Sequence, residues 1–145
     1  MASIERLTTV DEQALADINA LMKQLRSNPA DQVPAEMSVL EELLHDKNTV
    51  AVAARDGKKI IGFGLLFVLN KMSERIADIH EVIVDVTERG KGLGEKIMLS
   101  LIEEARKRAV KEIALTSRPS RDAANNLYKK IGFTQVETNV YRMKL

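Results

Sequence analysis

Leu15, Ile18, Leu21, Met22 and Leu25 recur at three- and four-residue steps, which predicts an amphipathic helix over residues 11–25. Ahead of it, Thr9-x-x-Glu12 has the form of a capping box, and residues 4–7 read as a short strand. Ser27-Asn28-Pro29-Ala30 breaks the helix, and Pro34 sits near the start of a second one over residues 35–45. The pattern then changes. Two apolar runs, 49–55 and 59–69, flank Asp56-Gly57, a pair that favours the tight turn of a hairpin. The run 60–69, with Gly62 and Gly64, reads as a buried strand rather than a ligand groove. Residues 75–86 predict a third strand in this block. Unbroken alternation would put Asp78, His80, Val82 and Val84 on one face and Ile79, Glu81 and Ile83 on the other.

A third helix follows, with Leu93, Ile97, Leu101, Ile102, Ala105 and Ala109 on its apolar side and Lys96, Glu103, Lys107 and Arg108 opposite. Residues 112–116 predict a short strand, 121–131 a fourth helix and 138–144 a last strand. Gly132-Phe133 suits a left-handed helix end whose phenylalanine folds back on Leu127 or Tyr128. The order is strand, two helices, three strands, helix, strand, helix, strand. It predicts one domain over 1–145 of α/β (α+β mixed) class, with helices on the faces of a mixed sheet.

Composition narrows the chemistry. Twenty-two basic against 21 acidic residues leave a net charge of +1, so charge gives no case for nucleic acid or an anionic membrane as partner. The absence of cysteine removes disulfides, thiolate metal sites and a cysteine nucleophile. Two separated histidines, His45 and His80, argue against a histidine-rich metal site, and no metal is expected. No stretch has the length of a membrane span, and the first residues lack the apolar core of a signal peptide. A cytoplasmic protein is expected.

The chemistry concentrates after the third strand of the block, where Val82 to Val86 runs into Thr87-Glu88-Arg89-Gly90-Lys91-Gly92-Leu93-Gly94-Glu95. A glycine-rich turn opening a helix presents unpaired N–H groups and the positive end of a dipole, a natural phosphate site. The string is not a Walker loop. Nor is it a dinucleotide fingerprint, because Glu95 stands where the third glycine belongs.

Arg89-x-x-Gly92-x-Gly94 resembles the acetyl-coenzyme A signature of the GNAT superfamily of N-acetyltransferases. Downstream, Leu127-Tyr128-Lys129-Lys130-Ile131-Gly132-Phe133 is similar to that family's second motif. The resemblance implies a GNAT fold: a central mixed, mostly antiparallel sheet with a splayed parallel strand pair, flanked by about four helices. It implies acetyl-CoA as co-substrate, its pantetheine arm bonded to main chain of Ile83, Val84 and Val86. The pyrophosphate would be wrapped by Arg89, Gly90, Lys91, Gly92, Leu93, Gly94 and Glu95, with Lys96 adding charge. Ser117, at the mouth of the splay, and Asn125 would complete the contacts. His80-Glu81-Val82-Ile83-Val84-Asp85 and the following loop are also similar to the glucosamine-phosphate acetyltransferases.

Acetyl transfer to an amine requires a neutral nitrogen nucleophile, oxyanion stabilisation and a proton for the departing thiolate. The resemblance assigns that proton to Tyr128, whose ordinary pKa of about 10 lies near a thiol's ~8.5. The alternative is that Tyr128 packs beneath Phe133 with its hydroxyl in water. His80 is the candidate base, with Asp78 and Glu81 as alternatives and a water chain as a fourth route. A structural strand histidine is an equal reading. The partner would be a small-molecule or peptide amine, its pocket built by the first two helices and the loops near Asn70 and Asn139. Homodimers are frequent in such a family. A non-catalytic acyl-CoA sensor is the competing reading.

Overall fold

The computed structural model describes residues 2–26 and 28–145; Ser27, part of the expected helix break, lies outside them. The chain packs into two compact units, Met1–Leu115 and Thr116–Leu145.

The first unit is built on a sheet of five strands: β1 (Ser3–Leu7), β2 (Thr49–Asp56), β3 (Lys59–Asn70), β4 (Arg75–Val84) and β5 (Glu112–Ala114). They lie side by side in chain order, antiparallel except for the parallel pair β4–β5. The Asp56-Gly57 hairpin forms as its sequence requires, with Gly57 at φ +60°. Helix α1 (Glu12–Leu25) starts one residue later than predicted. Its cap is Asp11, whose Oδ1 accepts from the Ala14 amide at 2.8 Å, so the Thr9–Glu12 capping box is not used. Helix α2 (Met37–His45) begins two residues beyond the predicted start. Asn19 explains the delay: its side chain bonds both the amide and the carbonyl of Ala35, holding that residue out of the helix.

The two faces of the sheet are packed differently. Leu7, Ala14, Ile18, Leu21 and Leu40 join Ala51, Ala53, Phe63, Leu65 and Ile83 in one core on the side of α1 and α2. On the other face lies α3 (Leu93–Lys107), which buries Leu93, Ile97, Met98, Leu101 and Ala105. A methyl group on Gly62 would stand 2.9 Å from Ile97 Cδ1, and one on Gly64 would stand 3.0 Å from Ile97 Cγ2 and 3.1 Å from Leu101 Cδ1. The two glycines thus let α3 lie close on β3. The run 60–69 is a largely buried strand, as its composition required. Helix α3 stops short of its predicted apolar stripe because Ala109 turns left-handed, at φ +56°.

Asp17 is an exception inside the first core, a carboxylate only 8% exposed. The β2–β3 ladder slips by one residue, Ala54 facing Gly62 and Arg55 facing Ile60. The Ile60 amide donates to Asp17 Oδ2 at 3.0 Å, and Gln13 donates to Oδ1 at 2.8 Å. The carboxylate therefore serves a buried N–H beside an irregularity of the sheet.

The second unit carries α4 (Asp122–Ile131), closed by Gly132 at φ +113°. Phe133 donates its amide to the Tyr128 carbonyl at 2.9 Å and sets its ring edge-on to Tyr128, as expected from the sequence. The predicted strand at 138–144 does not form. Val140, Tyr141 and Met143 are exposed there, and alternation without a partnered edge does not make a strand.

Candidate active site

β4 pairs with β5 only at Ile76, Ala77 and Asp78. Among the described residues, its outer edge pairs with no strand from Ile79 to Val84, while the inner edge remains on β3. The sheet is mixed with one parallel pair, as expected; that pairing ends at Asp78, and beyond it the outer edge of β4 has no strand partner among the described residues, although the Val84 carbonyl accepts from Arg89. Along the inner edge, Phe63 faces Ile83 and Leu65 faces His80, so two residues, Glu81 and Val82, stand against Gly64. This is a β-bulge, and Glu81 takes it up at φ +58°.

The bulge corrects the expected alternation. Asp78 and His80 face the side of α1, but past Glu81 it is Ile83 that takes that side and enters its core. Val82 crosses to the α3 side, where its Cγ2 would meet a methyl on Gly64 at 3.3 Å. His80 and Glu81 are exposed and Asp78 is half-buried. The His80 ring meets Phe67 edge-on, with centroids 5.5 Å apart.

Beyond β4, a short 3-10 turn (Val86–Glu88) carries the chain into the glycines, which is why the strand ends at Val84 rather than at 86. Every amide of the turn is used. Asp85 donates to the Ile61 carbonyl, Val86 to Gln24 Oε1, Thr87 to Asp85 Oδ1 and Glu88 to the Asp85 carbonyl, at 2.8–2.9 Å. The Thr87 amide and hydroxyl hold the Asp85 carboxyl below the usual range. The next stretch is the opposite. The amides of Gly90, Lys91, Gly92, Leu93 and Gly94 donate to nothing among the described residues. Gly90 and Gly92 are left-handed, at φ +80° and +79°, and Gly92 caps α3 without a side chain. Consecutive unpaired amides at a helix start form an anion cradle.

The charged side chains nearby are partly committed. Lys91 pairs with Glu88 at 2.6 Å, which raises its pKa, and Arg89 Nε donates to the Val84 carbonyl at 3.2 Å. A cleft of about 350 Å³ adjoins the loop, lined by Lys91, Lys96, Glu88, Asp56, Ile61 and Leu93 among others.

In the second unit, burial pushes the Tyr128 phenol above its ordinary pKa, with Arg121 pulling the other way. Asn125 donates to the Arg118 carbonyl at 3.0 Å and so braces its own loop. Ser117 Oγ is buried without a hydrogen-bond partner among the described residues, an arrangement that costs free energy until something bonds it.

A family model, "Acetyltransferase (GNAT) family", matches residues 16–133. The chain belongs to that family. Curated relatives of this GNAT protein include the N-alpha-acetyltransferase RimI of Mycobacterium tuberculosis, 30% identical over 92% of this chain and 79% of the relative. Another is glucosamine 6-phosphate N-acetyltransferase 1 of Oryza sativa subsp. japonica, 33% identical over 87% and 79%. Among solved structures, a Trypanosoma brucei acetyltransferase covers 100% of both chains at TM-score 0.80 and 22% identity. An aminoglycoside acetyltransferase from an uncultured soil sample superposes at TM-score 0.81 and 21% identity, over 99% of this chain and 97% of its own. These last two establish the shared fold. As a GNAT acetyltransferase the protein is an acyltransferase of a family that uses acetyl-CoA. The residues missed by sequence reading are Gln24, which holds the turn before the loop, and Phe67 beside His80. Neither lies in a motif, and only the tertiary pairing reveals them.

Proposed function

We propose that this GNAT protein transfers the acetyl group of acetyl-CoA directly to a primary amine of a small cationic acceptor. The observation that carries the reading is the run of unpaired amides from Gly90 to Gly94 directly after the open edge of β4. That run suits a pyrophosphate, and the open strand suits an amide-bearing arm. Ile83 and Val84 supply the main-chain contacts in this proposal. Val86 cannot donate without releasing Gln24. The orphaned Ser117 hydroxyl is consistent with a ligand partner.

In the proposed reaction the neutral amine nitrogen attacks the thioester carbon and the carbonyl oxygen becomes an oxyanion. As that oxyanion collapses, the C–S bond breaks and Tyr128 gives its proton to the thiolate. The ammonium proton leaves to His80 or through water, with Asp78 and Glu81 as alternatives. The raised pKa of Tyr128 keeps the phenol protonated at neutral pH, as an acid must be. The family resemblance assigns one wall of the acceptor pocket to the first two helices. Residues 27–46 carry Asp31, Glu36, Glu41, Glu42 and Asp46 but no lysine or arginine, which favours a cationic acceptor over a phosphorylated one.

Thermal unfolding with acetyl-CoA against ATP and NAD, followed by thiol release over a panel of polyamines, aminoglycosides and glucosamine 6-phosphate, tests the reading. A stabilisation of about 2.7 kcal/mol is expected at a hundredfold excess over the dissociation constant, specific to acetyl-CoA. No shift sinks the proposal, and binding without turnover on any amine leaves an acyl-CoA sensor. A cytoplasmic location and self-pairing into a homodimer belong to the same proposal and are checked by cell fractionation and sedimentation.

A further inference from the structure

The turn between β4 and the glycines is held by four successive amides, and three of their acceptors lie in β3 or in the turn itself. The fourth does not. Val86 donates to Gln24 Oε1 at 2.9 Å, a bond that spans 62 residues and reaches the last turn of α1. The Gln24 side chain also lies beside Asp85, the residue that caps the turn, and is the least of the influences that hold its carboxyl low. One primary amide therefore accepts from Val86 and turns a donor, rather than a second negative charge, toward the neighbourhood of Asp85. Neither a hydrocarbon nor a carboxylate at this position can do both.

We propose that Gln24 is a positioning residue for the cofactor loop, tying the entry of the glycine run to α1 through its bond to the Val86 amide. The proposal rests on the acetyl-CoA reading above and deepens it. The helix that α1 contributes to the first core also sets the angle at which the unpaired amides are displayed. Gln24 touches no reacting atom, so its loss acts on cofactor binding and leaves the chemical step alone.

The test compares three variants by steady-state kinetics with acetyl-CoA as the varied substrate, alongside thermal unfolding. Gln24→Leu is expected to raise KM for acetyl-CoA about fivefold with kcat unchanged, as the loss of roughly one exposed hydrogen bond implies. Gln24→Glu keeps the acceptor but sets a second carboxylate against Asp85, and is expected to bind at least as poorly at pH 8. The double variant Gln24→Glu/Asp85→Asn exchanges amide and carboxylate. Its carboxylate on α1 accepts from Val86, while its amide in the turn donates to that carboxylate and still accepts from Thr87. It is expected to recover most of the lost affinity, a non-additive rescue that a general loss of packing would not give. An unchanged KM in Gln24→Leu overturns the proposal, as does a double variant no better than Gln24→Glu. Wild-type protein that fails to bind acetyl-CoA overturns this inference and the functional reading together. Wild-type binding with indifferent variants overturns this inference alone.

Discussion

Asp17→Ala removes the acceptor of a buried backbone donor without touching the candidate site. Ile60 is 1% exposed and its amide, beside the slip in the β2–β3 ladder, has Asp17 Oδ2 as partner at 3.0 Å. Truncation leaves that N–H without an acceptor and frees Gln13 from its bond to Oδ1. A hydrogen bond to a charged group contributes about 1.5–3 kcal/mol, and a stranded buried donor costs a similar amount. The expected loss is therefore about 2 kcal/mol. With an unfolding entropy of about 0.3 kcal/mol/K for a chain of this size, it lowers Tm by about 6 °C. Urea unfolding should show a lower midpoint at constant m-value, because the surface exposed on unfolding is unaltered. Asp17→Asn keeps one oxygen and should lose about half as much. A change within about 0.5 kcal/mol for Asp17→Ala would refute the reasoning, since surface substitutions already reach that size.

Tyr128→Phe should lower kcat by about a hundredfold or more with little change in acetyl-CoA affinity, if the phenol is the acid. Gly64→Val should displace α3 from β3, because Ile97 and Leu101 already stand 3.0–3.1 Å from the first added carbon. A loss of about 1–3 kcal/mol is expected from urea unfolding. Gly92→Ala meets no atom within 4 Å, so its cost is the left-handed backbone alone, about 1 kcal/mol, together with weaker acetyl-CoA binding by calorimetry. A raised folded-state pKa makes Tyr128 a stabilising group below the unfolded value near 10, and that contribution is lost as pH rises through the folded value. Absorbance titration of phenolate should show Tyr128 ionising above the ordinary tyrosine range, a step that Tyr128→Phe should abolish.

Much of this architecture was legible because it is written locally. Apolar steps along α1 and α3 and the Asp56-Gly57 turn each report on a few neighbours in sequence, and the helices and hairpin appear where expected. The glycine run was legible for the same reason, since its amides are stranded by the conformation of Gly90 and Gly92 themselves. The bulge at Glu81 was not. It depends on how β3 meets β4, and no residue of β4 alone announces an extra position. Gln24 escaped notice because its partner lies 62 residues away. The last predicted strand failed in the other direction: alternation at 138–144 satisfies the local rule, yet pairing requires an edge that the pattern cannot supply.

One extra residue at Glu81 divides β4 into two independently addressable halves. Substitutions at Asp78 and His80 alter the face shared with α1, whereas those at Val82 press on α3 and the mount of the glycine loop. If the proposed function holds, a library confined to Asp78, His80 and Phe67 would vary the side offered to an acceptor and leave the glycine loop's mount untouched. Deleting Glu81 would couple the two halves again and turn every later side chain of the strand to the opposite side.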